Sequence, residues 1–303
     1  MTESTLSGRR VRLGGSELEV SPLAWGMWRF AGEDLKASRA KIDAALSIGI
    51  NLFDTADIYG FDGQGGFGDA EALLGRVFAQ SPGLRDQMVL ASKAGIEIPQ
   101  PYNSSHSYLK RACEASLKRL GVEYLDLFQI HRPDLLAHPA EVAAALNELR
   151  AEGKIREAGV SNYTAAQTAA LQAHLSFRLV SHQPEFSALA IAPLSDGILD
   201  QALEKNMAVL AWSPLGGGQL GVKPENGRAL AVYEVLERMA HAQGVSVAAV
   251  AYAWIMAHPT RAIPIVGTQN PARIREAAEA YRVELSRKDW YDVLVASRGE
   301  RMP

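Results

Sequence analysis

Cysteine is almost absent: Cys113 stands alone in 303 residues, which excludes an intrachain disulfide and any multi-cysteine zinc or iron–sulfur site. A lone thiol suits a reducing compartment, so a cytoplasmic location is expected. Neither sign of charge dominates. The 31 Lys and Arg face 34 Asp and Glu, for a formal net charge of −3, which leaves no basic footprint for nucleic acid or an anionic membrane surface. Long apolar runs are also missing. The most apolar stretch, 245–257, spans about 13 residues, short of the ~20 that a spanning helix needs. The opening MTESTLSGRR lacks the apolar core of a secretory signal. No Ser/Pro/Gly-rich linker or low-complexity tract divides the chain, so one domain over 1–303 is expected. Hydrophobic residues at 48% and charged residues at 21% are ordinary for a globular protein.

What the sequence does have is alternation. Short β-branched and apolar runs read as strands at 22–26, 51–54, 88–93, 125–130, 155–160, 179–183, 208–212 and 263–266. Helical patterns fill the intervals at 34–48, 69–78, 105–120, 139–152, 164–174 and 198–205, followed by a pair at 229–242 and 246–258. Thr164 with Gln167 forms a capping-box pattern, and Asn270-Pro271 opens a further helix over 272–281. Gly49, Gly121, Gly153 and Gly244 fall just past helix ends, where a left-handed residue is usual. Eight strand–helix repeats in this length predict a closed (β/α)8 TIM barrel. The competitor, a doubly wound open sheet binding a dinucleotide, would carry G-x-G-x-x-G after its first strand, and none is there. Ahead of the repeats, 11–13 and 18–20 flank Gly14-Gly15-Ser16-Glu17, which reads as an N-terminal β-hairpin capping the barrel bottom.

Reactive side chains of a barrel collect at the carboxyl ends of its strands. There the sequence places an acid (Asp54), a phenol five residues on (Tyr59), an ammonium (Lys93) and an imidazole (His131). Each alone has an ordinary explanation: a buried ion pair for Asp54 and Lys93, packing for Tyr59, structure for His131. Four at consecutive strand ends point to function. An ammonium beside a phenol favours its ionised form, and a carboxylate holds the ammonium. The imidazole orients a carbonyl oxygen or relays a proton. Such a set suits general-acid protonation of a developing alkoxide, hence carbonyl reduction. It holds no hydride source, so a cofactor is required. No metal is called for.

The segments D-T-A-D-I-Y-G (54–60), S-K (92–93), I-H-R-P-D (130–134) and G-K-I-R-E-A-G-V-S-N (153–162) together resemble the aldo-keto reductase family, over about 11–277. The stretches W-S-P-L-G-G-G-Q-L (212–220) and P-I-V-G (264–267) are similar to bacterial members of the predicted-oxidoreductase type. The resemblance implies a (β/α)8 barrel binding an extended nicotinamide cofactor without the glycine fingerprint. It implies Tyr59 as proton donor, Lys93 and Asp54 tuning it, and His131 orienting the substrate carbonyl. Ser161, Asn162 and Gln183 would hydrogen-bond the nicotinamide carboxamide, and Trp212 would stack on its ring. Ser213, Pro214, Leu215, Gly216, Gly217 and Gly218 would meet the pyrophosphate. Val266, Gly267, Thr268 and Arg273 would grip the adenosine end, with Glu276 facing the adenine. Gly26, Met27, Trp28 and Leu220 complete the expected cofactor set. Arg273 can meet a 2′-phosphate bidentately, which favours NADP(H) over NAD(H). Ile265 stands where many members have Lys, Met27 where a small hydroxyl residue is frequent, and Ala277 where Asn is frequent.

Trp28, Phe30, Tyr59, Phe61 and Phe186 are candidates for the wall around a small carbonyl substrate. Loops 61–68, 96–103 and 215–228 carry Gly or Pro and can close over ligand. Two other readings stand beside NADP-dependent reduction of aldehydes or ketones. One is a lyase using Lys93 as a Schiff-base nucleophile. The other is a cofactor-binding regulatory or redox-sensing subunit, as some relatives of the superfamily serve ion channels. A monomer or small homo-oligomer is expected.

Overall fold

The computed structural model describes residues 10–302; the opening stretch read for a secretory signal lies, through residue 9, outside the described residues. A hairpin of β1 (Val11–Arg12) and β2 (Glu19–Val20) comes first. Eight parallel strands follow: β3 (Ala24–Gly26), β4 (Leu52–Asp54), β5 (Val89–Ala94), β6 (Leu125–Ile130), β7 (Ile155–Ser161), β8 (Ser181–Gln183), β9 (Ala208–Ala211) and β10 (Ile263–Val266). Each pairs with the next, and β10 pairs with both β9 and β3, closing the barrel. Closure is what separates this fold from the open doubly wound sheet. Every expected strand is present, with ends shifted by at most two residues.

The helices form the outer layer. They are α1 (Leu35–Ser47), α2 (Asp69–Ala79), α3 (His106–Leu120), α4 (Pro139–Ala151), α5 (Ala165–Gln172), α6 (Ile198–Lys205), α7 (Gly227–Gln243), α8 (Val247–Met256), α9 (Pro271–Glu276) and α10 (Arg287–Arg298). Their ends follow local chemistry. Asp34 accepts from the N–H groups of Lys36 and Ala37 to start α1, and Thr164 with Gln167 makes a reciprocal capping box on α5. The helix expected over 272–281 is α-helical only to Glu276 and continues as a tighter 3-10 turn, Ala277–Arg282. Helix α10 escaped the sequence reading. It is capped by a Ser286–Asp289 box and anchored by Trp290, which stacks on Trp254 at 5.0 Å with reciprocal indole-to-carbonyl hydrogen bonds. No single helix among the described residues is long and apolar enough to cross a membrane.

Pleating sends alternate side chains of a strand to opposite faces. In β4 the ring of Phe53 faces the helices, while Leu52 belongs to a separate cluster inside the barrel. That inner cluster holds Ala24, Leu52, Val89, Ala91, Leu127, Val180, Leu210 and Ile263, and the hairpin closes it from below with Leu13 and Val20. Gly14 makes the plug fit. It has φ +57°, and a Cβ there would lie 2.3 Å from the Val180 carbonyl oxygen and 2.7 Å from that of Asn206. Two residues further along the strands the inner file turns polar: Leu52 gives way to Asp54, Ala91 to Lys93 and Leu127 to Gln129.

Candidate active site

The polar file meets at the carboxyl end of the barrel. Lys93 has no exposed surface, and its ammonium donates to Asp54 Oδ2 at 2.7 Å, the Thr55 carbonyl at 2.8 Å and Tyr59 Oη at 3.1 Å. The other carboxylate oxygen of Asp54 accepts from Gln183 Nε2 at 2.9 Å and Gln129 Nε2 at 3.5 Å. Tight inner packing permits this convergence. A Cβ on Gly159 would fall 2.0 Å from Ser181 Oγ, which itself donates to Gln129. Tyr59 reaches the group because β4 ends in a turn: Asp57 N–H donates to the Lys93 carbonyl and Tyr59 N–H to that of Ala56. The His131 ring meets the Tyr59 ring edge-on, 5.8 Å between centroids at 78°.

Burial pushes the Tyr59 phenol above its usual range, and the Lys93 ammonium offsets only part of that rise. The ammonium effect weighed from sequence is therefore real but smaller than desolvation. For Lys93, burial disfavours charge, yet Asp54 and Tyr59 together outweigh it and the pKa goes up. Burial pulls His131 well below its usual value, with Lys93 and Arg132 adding to the effect. At neutral pH the site thus presents a protonated phenol, an ammonium and a neutral imidazole. An ammonium held by three hydrogen bonds is not a free amine, which argues against Lys93 as a Schiff-base nucleophile.

A cavity of ≈ 1060 Å³ opens above these groups, large enough for a dinucleotide and a small substrate. At one end it is lined by Trp28, Arg29, Ile58, Tyr59, Phe61, Ile96, His131 and Arg132. It passes Ser161, Asn162, Gln183, Glu185 and Trp212, then Ser213, Pro214, Leu215, Gly217 and Gly218. Its far end holds Gly26, Ile265, Gly267, Thr268, Gln269, Arg273 and Glu276. These residues fit a nicotinamide dinucleotide. The half-buried Trp212 ring offers a stacking face, its Nε1 tied to Asn162 Oδ1 at 2.9 Å. Asn162, at φ +60°, also donates to the His131 carbonyl and to Ser161 Oγ, so it knits three strand ends together. Both its donors are therefore engaged within the protein, and Gln183 spends Nε2 on Asp54. Gln183 Oε1 and the second Nε2 hydrogen then remain able to meet a carboxamide.

Several expected contacts are corrected by burial. Phe30 has no exposed surface because the turn Phe30 N–H to Met27 carbonyl tucks it edge-on against Trp25, so it walls no cavity. Phe186 is likewise enclosed, packed against Trp254 and His258. Met27, Leu220 and Val266 point into the core rather than the cavity. Within Ser213–Gly218, turn hydrogen bonds consume the N–H groups of Gly216 and Gly218. Those of Ser213, Leu215 and Gly217 have no partner among the described residues. Gly216 packs on Leu189 and faces a neighbouring recess. Trp28, 64% exposed, and Phe61 do line the cavity. The sequence reading missed Arg29, Ile58, Arg132, Glu185, Ala248, Tyr252 and Gln269. For Arg132 and Glu185 a signal existed, since each lies within two residues of a named strand-end residue.

The aldo/keto reductase family model matches residues 22–294. The chain belongs to this family. It is 54% identical to a 6-dehydroglucose reductase of Novosphingobium aromaticivorans, over 96% of each chain. It is 39% identical to a 6-dehydroglucose reductase of Agrobacterium fabrum, covering 94% of this chain and 97% of the other. The solved structure of a thermostable aldo-keto reductase, Tm1743, in complex with the inhibitor epalrestat superposes with a TM-score of 0.81 at 23% identity, covering 95% of this chain and 99% of that one. The protein is an NAD(P)H-dependent, carbonyl-reducing oxidoreductase.

Proposed function

We propose that the enzyme reduces a sugar aldehyde with NADPH, and that 6-dehydroglucose, converted to glucose, is its substrate. The observation that carries the chemistry is the Asp54–Lys93–Tyr59 chain of hydrogen bonds beside His131. Likeness to the Novosphingobium enzyme supports the substrate. When bound, the nicotinamide supplies a hydride to the carbonyl carbon. Tyr59 gives its phenolic proton to the carbonyl oxygen as charge develops there. Lys93, held in place by Asp54, stabilises the phenolate left behind. His131, neutral and beside the phenol, aligns the carbonyl oxygen. Arg273, exposed at the far end with no carboxylate within 4.0 Å among the described residues, supports recognition of a 2′-phosphate and hence NADPH over NADH.

The test is to mix the enzyme with 6-dehydroglucose and either reduced cofactor, following loss of cofactor absorbance and appearance of glucose by chromatography. Stoichiometric glucose, formed at least tenfold more efficiently with NADPH, is expected. Absence of glucose defeats the substrate assignment, and parity between cofactors defeats the NADPH assignment.

A further inference from the structure

We propose that Arg132 selects the substrate: its guanidinium donates to oxygen atoms on the carbons next to the reacting carbonyl, so polyhydroxylated aldehydes are taken over plain alkyl ones. The inference deepens the reductase reading and rests on it. Arg132 follows His131 directly at the end of β6, is half-buried, and lines the cavity. Its guanidinium carbon lies 5.7 Å from the centroid of the Trp212 ring. No carboxylate comes within 4.0 Å of it among the described residues, and none of its five N–H donors has a protein partner there. It directly follows His131, whose ring meets that of Tyr59, and shares their cavity; its positive charge acts to lower the pKa of both groups.

Elimination sharpens the assignment. Apart from Arg29 and the Tyr59–His131 pair, the other residues at this end of the cavity are apolar: Trp28, Ile58, Phe61 and Ile96. Arg29 is exposed and stacks on its own neighbour Trp28 at 5.0 Å, out at the rim. A planar fork of donors suits two oxygens on adjacent carbons, which a sugar aldehyde presents and an alkyl aldehyde does not. Glu185 lines the same cavity and has no ion-pair partner among the described residues. A guanidinium donates equally to hydroxyl, ether and phosphate oxygens, so the experiment sets neutral oxygens against an anion.

The experiment compares glyceraldehyde with propanal, three-carbon aldehydes that differ in two hydroxyls, using NADPH and the full-length enzyme. Wild type, Arg132→Met and Arg132→Lys are measured for kcat/KM, and NADPH affinity is read from quenching of intrinsic fluorescence. Wild type should favour glyceraldehyde at least tenfold. In Arg132→Met that preference should fall by about tenfold to a hundredfold, carried by KM for glyceraldehyde, with NADPH affinity within about twofold of wild type. Arg132→Lys should recover part of it. Equal losses with both aldehydes, or a loss of NADPH affinity with the preference intact, would overturn the proposal. So would a wild type that takes glyceraldehyde 3-phosphate tenfold better than glyceraldehyde, since the guanidinium would then serve an anion. A wild type that reduces propanal as well as glyceraldehyde overturns this inference and leaves the reductase reading standing; one that reduces neither, yet turns 6-dehydroglucose into glucose, overturns the inference alone, and one inactive on all three takes both down.

Discussion

The two ends of the barrel are built from the same eight strands and do opposite work. At the bottom, inward positions are Leu52, Ala91, Leu127 and Leu210, sealed by Leu13 and Val20 of the hairpin. At the top, two residues along β4, β5 and β6, they are Asp54, Lys93 and Gln129, joined by hydrogen bonds that also take in Gln183 of β8, and open to the cavity through Tyr59. A dry apolar plug stabilises by burial and tolerates no water. The polar layer above it depends on matched donors and acceptors around Asp54 and Lys93, because an unpaired buried charge is costly.

Changing one end should therefore leave a different signature from changing the other. The largest effect is expected for Lys93→Met, which strands Asp54 in the interior. It should lower stability by about 3–5 kcal/mol in denaturant titrations and cut kcat for carbonyl reduction by about 10²–10⁴-fold. A variant of unchanged kcat would break the distinction between the ends. Leu13→Ala should cost about 2–5 kcal/mol of stability while leaving KM for substrate and cofactor within about twofold at a temperature where it is folded. A change in KM would mean that the plug and the catalytic layer are coupled. The smallest effect concerns pH. Tyr59 titrates above its usual 10.0 and His131 well below its usual 6.5. Tyr59 keeps its proton until pH passes its raised value, and His131 stays neutral until pH falls to its lowered one. The pH profile of kcat/KM for reduction should thus be flat within about twofold from pH 6.5 to 9.5. A limb with its midpoint inside that range would contradict the assignment of one or both groups.

The contrast between the ends was itself legible in the chain. Strand ends that change from apolar to Asp, Lys or His after a two-residue step stand out against the alternation that builds a strand. Helix ends were legible for the same local reason, through Thr164, Asn270 and Gly121. What sequence did not reveal depends on the path of the chain in three dimensions. Phe30 and Phe61 both sit in loops after strands, but the Met27–Phe30 turn folds one ring under Trp25 while the other remains at the cavity. The glycine-rich stretch reads as an array of free N–H groups, although two of them are spent on the turns that shape it. Arg132 reads as part of a strand-end motif, and its lack of a carboxylate partner appears only once its neighbours are in place. Helix α10 is amphipathic like the others, and what anchors it is the Trp254–Trp290 stack across 36 residues of sequence, a pairing that no local pattern shows.

The most direct measurement of the central claim compares wild type with Tyr59→Phe, in NADPH oxidation with an aldehyde and in NADPH binding by fluorescence titration on the same samples. Removing one oxygen should lower kcat by about 10²–10⁴-fold and leave the affinity for NADPH within about threefold. A Tyr59→Phe enzyme that still reduces the aldehyde within a few-fold of wild type would contradict the account.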